Sequence, residues 1–187
     1  MPGSETEPPG RWVARRAFLA GAAGVVLVAA LDGAAAAALP GERRLTLYNP
    51  HTDERFDDVY WCVGTYVADS LRRVDWLMRD YHQDKVAAID PQLLDLLQRL
   101  AQRVEADGPF RILSGYRTAA TNRLLRREGL APAAHSEHLL GKAADIRIDG
   151  VRLKHLRRAA LSLQCGGVGT YWRDGFIHVD VGPVRVW

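Results

Sequence analysis

The residues able to do chemistry fall in two short runs. Ser136-Glu137-His138-Leu139-Leu140-Gly141-Lys142-Ala143-Ala144-Asp145 sets a His and an Asp seven positions apart, and Phe176-Ile177-His178-Val179-Asp180 adds a His-x-Asp further along. A hydrolytic zinc site takes three protein ligands from imidazole and carboxylate and leaves one position open. His138, Asp145 and His178 are such a set, and zinc held by them would acidify a water from about 16 towards about 7 and polarise a carbonyl. The second run alternates, so His178 and Asp180 share one strand face while Ile177, Val179 and Val181 share the other. Asp145 opens a similar alternation, Asp145-Ile146-Arg147-Ile148, and a loop with Gly141 and two Ala presents His138. The competing reading is a pair of core histidines satisfied by hydrogen bonds. It loses ground because the polar groups occupy the polar face of otherwise apolar strands.

The surrounding elements must bring these runs together. Leu45–Tyr48 and 55–61 read as strands separated by the turn signal Asn49-Pro50, which makes His51 a turn residue. Leu71, Val74, Leu77 and Met78 give one apolar face and predict a helix over 70–81, with a solvated His82 just beyond it. Asp90-Pro91 is a helix N-cap and first position, followed by the stripe Leu93, Leu94, Leu97, Leu100, Ala101 and Val104. Phe110–Leu113 reads as a strand that delivers Ser114-Gly115-Tyr116-Arg117, then come a short helix over 118–127 and a loop over Gly129–Pro132. A third main helix spans 153–163, and Gly166–Tyr171 leads into a final hairpin. Grouped rather than strictly alternating strands and helices predict an α+β fold, a small antiparallel sheet flanked by helices.

At 187 residues, with 48% hydrophobic and 25% charged, the chain suits one globular domain. The formal charge is +3, and residues 1–38 leave it unchanged because Arg11, Arg15 and Arg16 balance Glu5, Glu7 and Asp32. That permits a polyanionic neighbour such as cell wall. No Lys/Arg block or aromatic-basic interleaving marks a nucleic-acid surface. Arg15-Arg16-Ala17-Phe18-Leu19, the apolar run Ala20–Leu31 and the small residues Ala34–Ala38 form a twin-arginine signal pattern, giving a signal segment over 1–38 and a domain over 39–187. Asp32 cuts the run short of a membrane span, so no stable membrane insertion is expected after signal cleavage; an uncleaved anchor is the alternative. Cys62 and Cys165 lack metal-ligand spacing. A disulfide between them and two free thiols both stay open.

Ser-x-His-x-x-Gly-x-Ala-x-Asp, followed by Gly-Val-Gly-x-Tyr and His-Val-Asp, resembles the zinc D-Ala-D-Ala peptidases of the lysostaphin, carboxypeptidase and sonic-hedgehog group. Within it the chain is similar to the YcbK-like murein endopeptidases, from about Arg44 to Trp187 and including Asn49-Pro50-His51-Thr52, Ile89-Asp90-Pro91 and Ser114-Gly115-Tyr116-Arg117. The resemblance implies a hedgehog/D-Ala-D-Ala peptidase-like fold, Zn2+ at His138, Asp145 and His178, and a periplasmic, monomeric enzyme acting on peptidoglycan stem peptides. It also implies that Arg117 meets substrate and its developing oxyanion, with Ser114 and Tyr116 as further substrate contacts. The alternative for Arg117 is a structural ion pair with a carboxylate.

Related members place their general base three positions before the last His ligand, or use a His nearby. Position 175 here is Gly, and the nearest upstream acid is Asp174. Asp180 is favoured as base or as orienter of a ligand imidazole, ahead of Asp174 and then Glu137. His135 is expected at the cleft rim, or as an alternative ligand. Two other functions remain: a D-Ala-D-Ala or L,D-carboxypeptidase, and a non-catalytic zinc-containing cell-wall binding module.

Overall fold

The computed structural model describes residues 41–128, 133 and 135–187; the twin-arginine segment and the loop expected over 129–132 lie outside the described residues. The strands are β1 (Glu42–Asn49), β2 (Glu54–Cys62), β3 (Thr65–Tyr66), β4 (Phe110–Ser114), β5 (Ala143–Ile148), β6 (Gly167–Tyr171), β7 (Phe176–Asp180) and β8 (Arg185–Val186). The helices are α1 (Ala68–Leu77), α2 (Pro91–Val104), α3 (Ala119–Arg127) and α4 (Leu153–Leu163), with a single 3₁₀ turn over Glu137–Leu140. The class is α+β. The sheet is larger than the sequence suggests, eight strands in the order β3-β2-β1-β4-β5-β7-β6-β8. It is also mixed, because β1 runs parallel to β4 and β6 parallel to β8.

One face of the sheet carries the core. Along β5, Ala144, Ile146 and Ile148 point into it, and along β7, Ile177 and Val179 do so, as period-two alternation requires. The opposite face carries Asp145, His178 and Asp180. α2 covers the core with Leu93, Leu94, Leu97 and Leu100, all fully buried. Truncating one of them to Ala would cost about 2–5 kcal/mol. Asp90 caps this helix by accepting from the Gln92 N–H, so the Asp-Pro start is realised.

α1 ends at Leu77, short of the expected 81. Long-range bonds interrupt the periodicity: the Met78 carbonyl accepts from Tyr116 N–H (2.8 Å). The Asp80 carboxylate accepts from Thr118 N–H (2.8 Å) and His82 N–H (3.0 Å). Residues 78–82 therefore form a loop tied to the end of β4. Both cysteines are free thiols, with Cys62 beside Glu42 and Cys165 beside Arg99. Among the described residues no helix is long and apolar enough to cross a membrane.

Candidate metal centre

Strand register builds most of the centre. Asp145 on β5 lies directly across from His178 on β7, and across from Ser114 on its other side. His138 comes from the 3₁₀ turn, which Ser136 caps at its start and Gly141 closes in the left-handed conformation, φ 66°. Gly141 is required twice over, since a Cβ there would also lie 2.2 Å from the Ala88 carbonyl oxygen.

His138 Nε2, Asp145 Oδ1 and His178 Nδ1 form a triangle. Its edges are 3.3 Å (His138 to Asp145), 3.1 Å (His138 to His178) and 3.0 Å (His178 to Asp145). Tetrahedral zinc with bonds of about 2.0–2.1 Å separates its ligand atoms by about 3.3–3.4 Å, so the triangle is close to the size of one zinc face.

The protons of both imidazoles point elsewhere. His138 Nδ1 lies 2.6 Å from the Gly115 carbonyl, which can only accept, so Nδ1 carries the hydrogen and Nε2 offers a lone pair. His178 Nε2 donates to Asp180 Oδ2 (2.9 Å), leaving the Nδ1 lone pair facing the triangle. With both imidazoles neutral, these contacts turn three lone pairs towards one point, an arrangement that a divalent cation satisfies. His138 is 2% exposed, and burial pushes its pKa down, which favours the neutral, ligating form.

Asp180 sits behind His178 with no exposed surface (0%). Besides His178 it accepts from Gly167 N–H (2.9 Å), Gly182 N–H (2.8 Å) and both terminal nitrogens of Arg185 (2.8 and 3.2 Å). Burial alone would raise its pKa; these donors outweigh that and hold it down, to about 2. These are the contacts of a carboxylate that orients an imidazole. Of the two roles expected for Asp180, these contacts favour that of orienter.

Arg117 is also more tied down than expected. One terminal nitrogen donates to Ser114 Oγ (3.0 Å) and Asp145 Oδ2 (3.3 Å), the other to Asn122 Oδ1 (3.4 Å). It nonetheless lines a cavity of about 630 Å³ together with His138, Asp145 and His178. Ser114, Tyr116, Glu137 and Asp174 line the same cavity. His135 is an exposed turn residue, outside the ligand group.

Three cleft residues escaped the sequence reading. Arg185 reaches Asp180 only because β8 pairs with β6. Trp187 tilts over the His178 ring at 5.2 Å between centroids, seated where Gly169 leaves room: a Cβ at 169 would lie 2.5 Å from the indole. Tyr81 faces the cavity from the loop that replaces the expected last turn of α1.

A family model described as Peptidase_M15_2, peptidoglycan L,D-endopeptidase MepK, matches residues 37–187. The peptidoglycan L,D-endopeptidase MepK of Escherichia coli K12 is 38% identical over 177 residues, covering 93% of this chain and 97% of that protein. The probable peptidoglycan L,D-endopeptidase MepK of Haemophilus influenzae is 38% identical over 149 residues, 79% of this chain and 80% of its own length. A crystal structure of the L-Ala D-Glu endopeptidase ChiX of Serratia marcescens aligns with 41% of this chain and 62% of that one, at 20% identity and a TM-score of 0.33, a likeness too slight to support fold or function.

Proposed function

The chain belongs to the peptidoglycan L,D-endopeptidase MepK family, and from that premise we propose that it is a zinc-dependent murein endopeptidase that hydrolyses cross-links between stem peptides. The observation that carries this reading is the convergence of three potential ligand atoms, from His138, Asp145 and His178, within 3.0–3.3 Å of one another in the lining of one cavity. A zinc ion bound there supplies Lewis acidity for the scissile carbonyl and a lowered pKa for the attacking water.

The chain's own residues do the rest. Gly115 and Asp180 fix the tautomers of His138 and His178. Arg117 holds the second oxygen of Asp145, so the carboxylate offers one oxygen to the centre. The Arg117 guanidinium also lines the cleft, where its charge favours negative charge growing on a carbonyl oxygen. With Asp180 enclosed, Asp145 among the ligands and the Asp80 carboxylate bonded to the Thr118 and His82 N–H groups, Asp174 and Glu137 are the other carboxylates lining the cleft, and the proton acceptor belongs there.

The twin-arginine pattern at Arg15-Arg16 supports export to the periplasm, where the substrate lies. Replacing the pair with Lys-Lys should strand the precursor in the cytoplasm; normal delivery would refute that route. The activity is tested by incubating the purified domain with cross-linked muropeptide dimers, with zinc and with chelator. Zinc-dependent conversion of dimers to monomers is expected. Release of terminal D-Ala with intact dimers would make the protein a carboxypeptidase. Binding of the sacculus without cleavage would make it a wall-binding module.

A further inference from the structure

Tyr81 lines the cleft and has no part in these roles. Its ring stacks on His51, with centroids 4.1 Å apart and planes at 10°, and on His82, at 4.2 Å and 29°. His51 is itself anchored, by its backbone N–H on Asn49 Oδ1 (2.9 Å) and by its Nε2 against the Leu113 carbonyl (3.2 Å). The loop carrying Tyr81 is bonded to the strand end that orients His138, through Met78 to Tyr116 and Asp80 to Thr118. Between those bonds Gly115 packs so closely that a Cβ would lie 2.3 Å from the Met78 carbonyl oxygen. The phenol ring is therefore positioned by the same backbone that positions a metal ligand.

Among the described residues none hydrogen-bonds to its hydroxyl, although Tyr81 lines the same cavity as Arg117, His138 and Asp145. Burial raises the phenol's pKa, with the Arg117 cation pulling the other way, so at neutral pH the group keeps its proton and can donate. Arg117, a second donor in the lining, already has one terminal nitrogen engaged by Ser114 and Asp145 and the other by Asn122.

We propose that Tyr81 is a catalytic residue whose hydroxyl donates a hydrogen bond to the carbonyl oxygen of the substrate peptide bond held at the His138–Asp145–His178 centre. The proton stays on the phenol throughout, and the bond strengthens as charge develops on the acceptor. This role rests on the peptidase reading of the centre.

Tyr81→Phe tests it, because it deletes the oxygen and keeps both stacking contacts. With zinc-loaded protein and cross-linked muropeptide dimers, kcat should fall about 10²–10³-fold with KM little changed. Zinc content and the thermal melting curve should match wild type. A phosphinic dipeptide, whose oxygens imitate the tetrahedral charge, should bind the variant more weakly by a comparable factor. Wild-type kcat in Tyr81→Phe would overturn the role while leaving the peptidase reading intact. Loss of zinc together with rate would also overturn it, by making Tyr81 a support for the ligands. A wild-type protein inert towards muropeptides would overturn the peptidase reading, and this role with it.

Discussion

Asp180→Asn is nearly isosteric, yet it should damage the metal site more than its shape suggests. In the native centre Asp180 Oδ1 accepts from Gly167 N–H, Gly182 N–H and Arg185, while Oδ2 accepts from His178 Nε2–H and Arg185. An Asn side chain has two orientations. With its oxygen kept on the two glycine N–H groups, its amide NH2 faces His178 Nε2. That nitrogen must then accept, and the ring proton moves to Nδ1, the atom that faces Asp145 and His138. In the flipped orientation the NH2 faces two buried backbone donors and leaves both unsatisfied, at about 1–3 kcal/mol each. The first orientation is the less costly, so the variant carries the wrong tautomer and zinc must expel a proton to bind. Loss of an orienting partner costs about 10–100-fold in metal affinity, or about 1.4–2.8 kcal/mol. Asp180→Asn should reach at least the upper part of that range, and Asp180→Ala, which imposes no tautomer, should fall no lower than its conservative counterpart. Competition against a chromophoric zinc chelator at fixed pH measures both. A folded Asp180→Asn with wild-type zinc affinity would refute the orienting role.

Arg117→Ala should lower zinc affinity about tenfold or more, because Asp145 Oδ2 loses its partner, and lower kcat by about 10²–10³; a variant with wild-type kinetics would remove Arg117 from the mechanism. Asp174→Asn and Glu137→Gln separate the two cleft carboxylates. The one that accepts the proton should lose about 10²–10⁴ in kcat at unchanged zinc content, and wild-type rates in both would exclude both. Asp80 tests the loop under Tyr81. Burial alone would raise its pKa, but the Thr121 and Thr118 hydroxyls and the Thr118 and His82 N–H groups outweigh that and lower it. A depressed folded pKa stabilises above the unfolded value, about 3.9, and is lost as pH falls through the folded value. Denaturant titrations of Asp80→Asn should therefore show a flatter acid limb than wild type, with a loss of about 1–3 kcal/mol at pH 7. Parallel curves would contradict this.

The grouping of His138, Asp145 and His178 was legible in part from residue type and strand face, which are local properties, and in part from the order of motifs along the chain. His178 and Asp145 interrupt the apolar alternation of their own strands, and no knowledge of the rest of the chain is needed to see it. The Asp90-Pro91 cap and the leucine stripe of α2 were legible for the same reason. What the sequence hid depends on distant pairing. Asp180 could be placed on the site face, but its enclosure requires Arg185, which reaches it only through the parallel β6–β8 pairing. Helical periodicity through Met78 carried the expected helix to 81, because nothing local announces that Asp80 will be claimed by Thr118, 38 residues away. Tyr81 was thereby assigned to a helix face instead of the cleft. Arg117 lines the same cavity as His138, Asp145 and His178, but its commitment to Asp145 follows from the β4–β5 register, which pattern alone does not set.

The most direct measurement is zinc content, by mass spectrometry, of the purified domain after metal stripping and reconstitution, alongside His138→Ala, Asp145→Ala and His178→Ala. About one zinc per chain is expected for wild type, with near-total loss in each variant that keeps its fold by circular dichroism. Full occupancy in any one of the folded variants, or a wild-type domain that takes up no zinc, would contradict the assignment of His138, Asp145 and His178 as the metal centre.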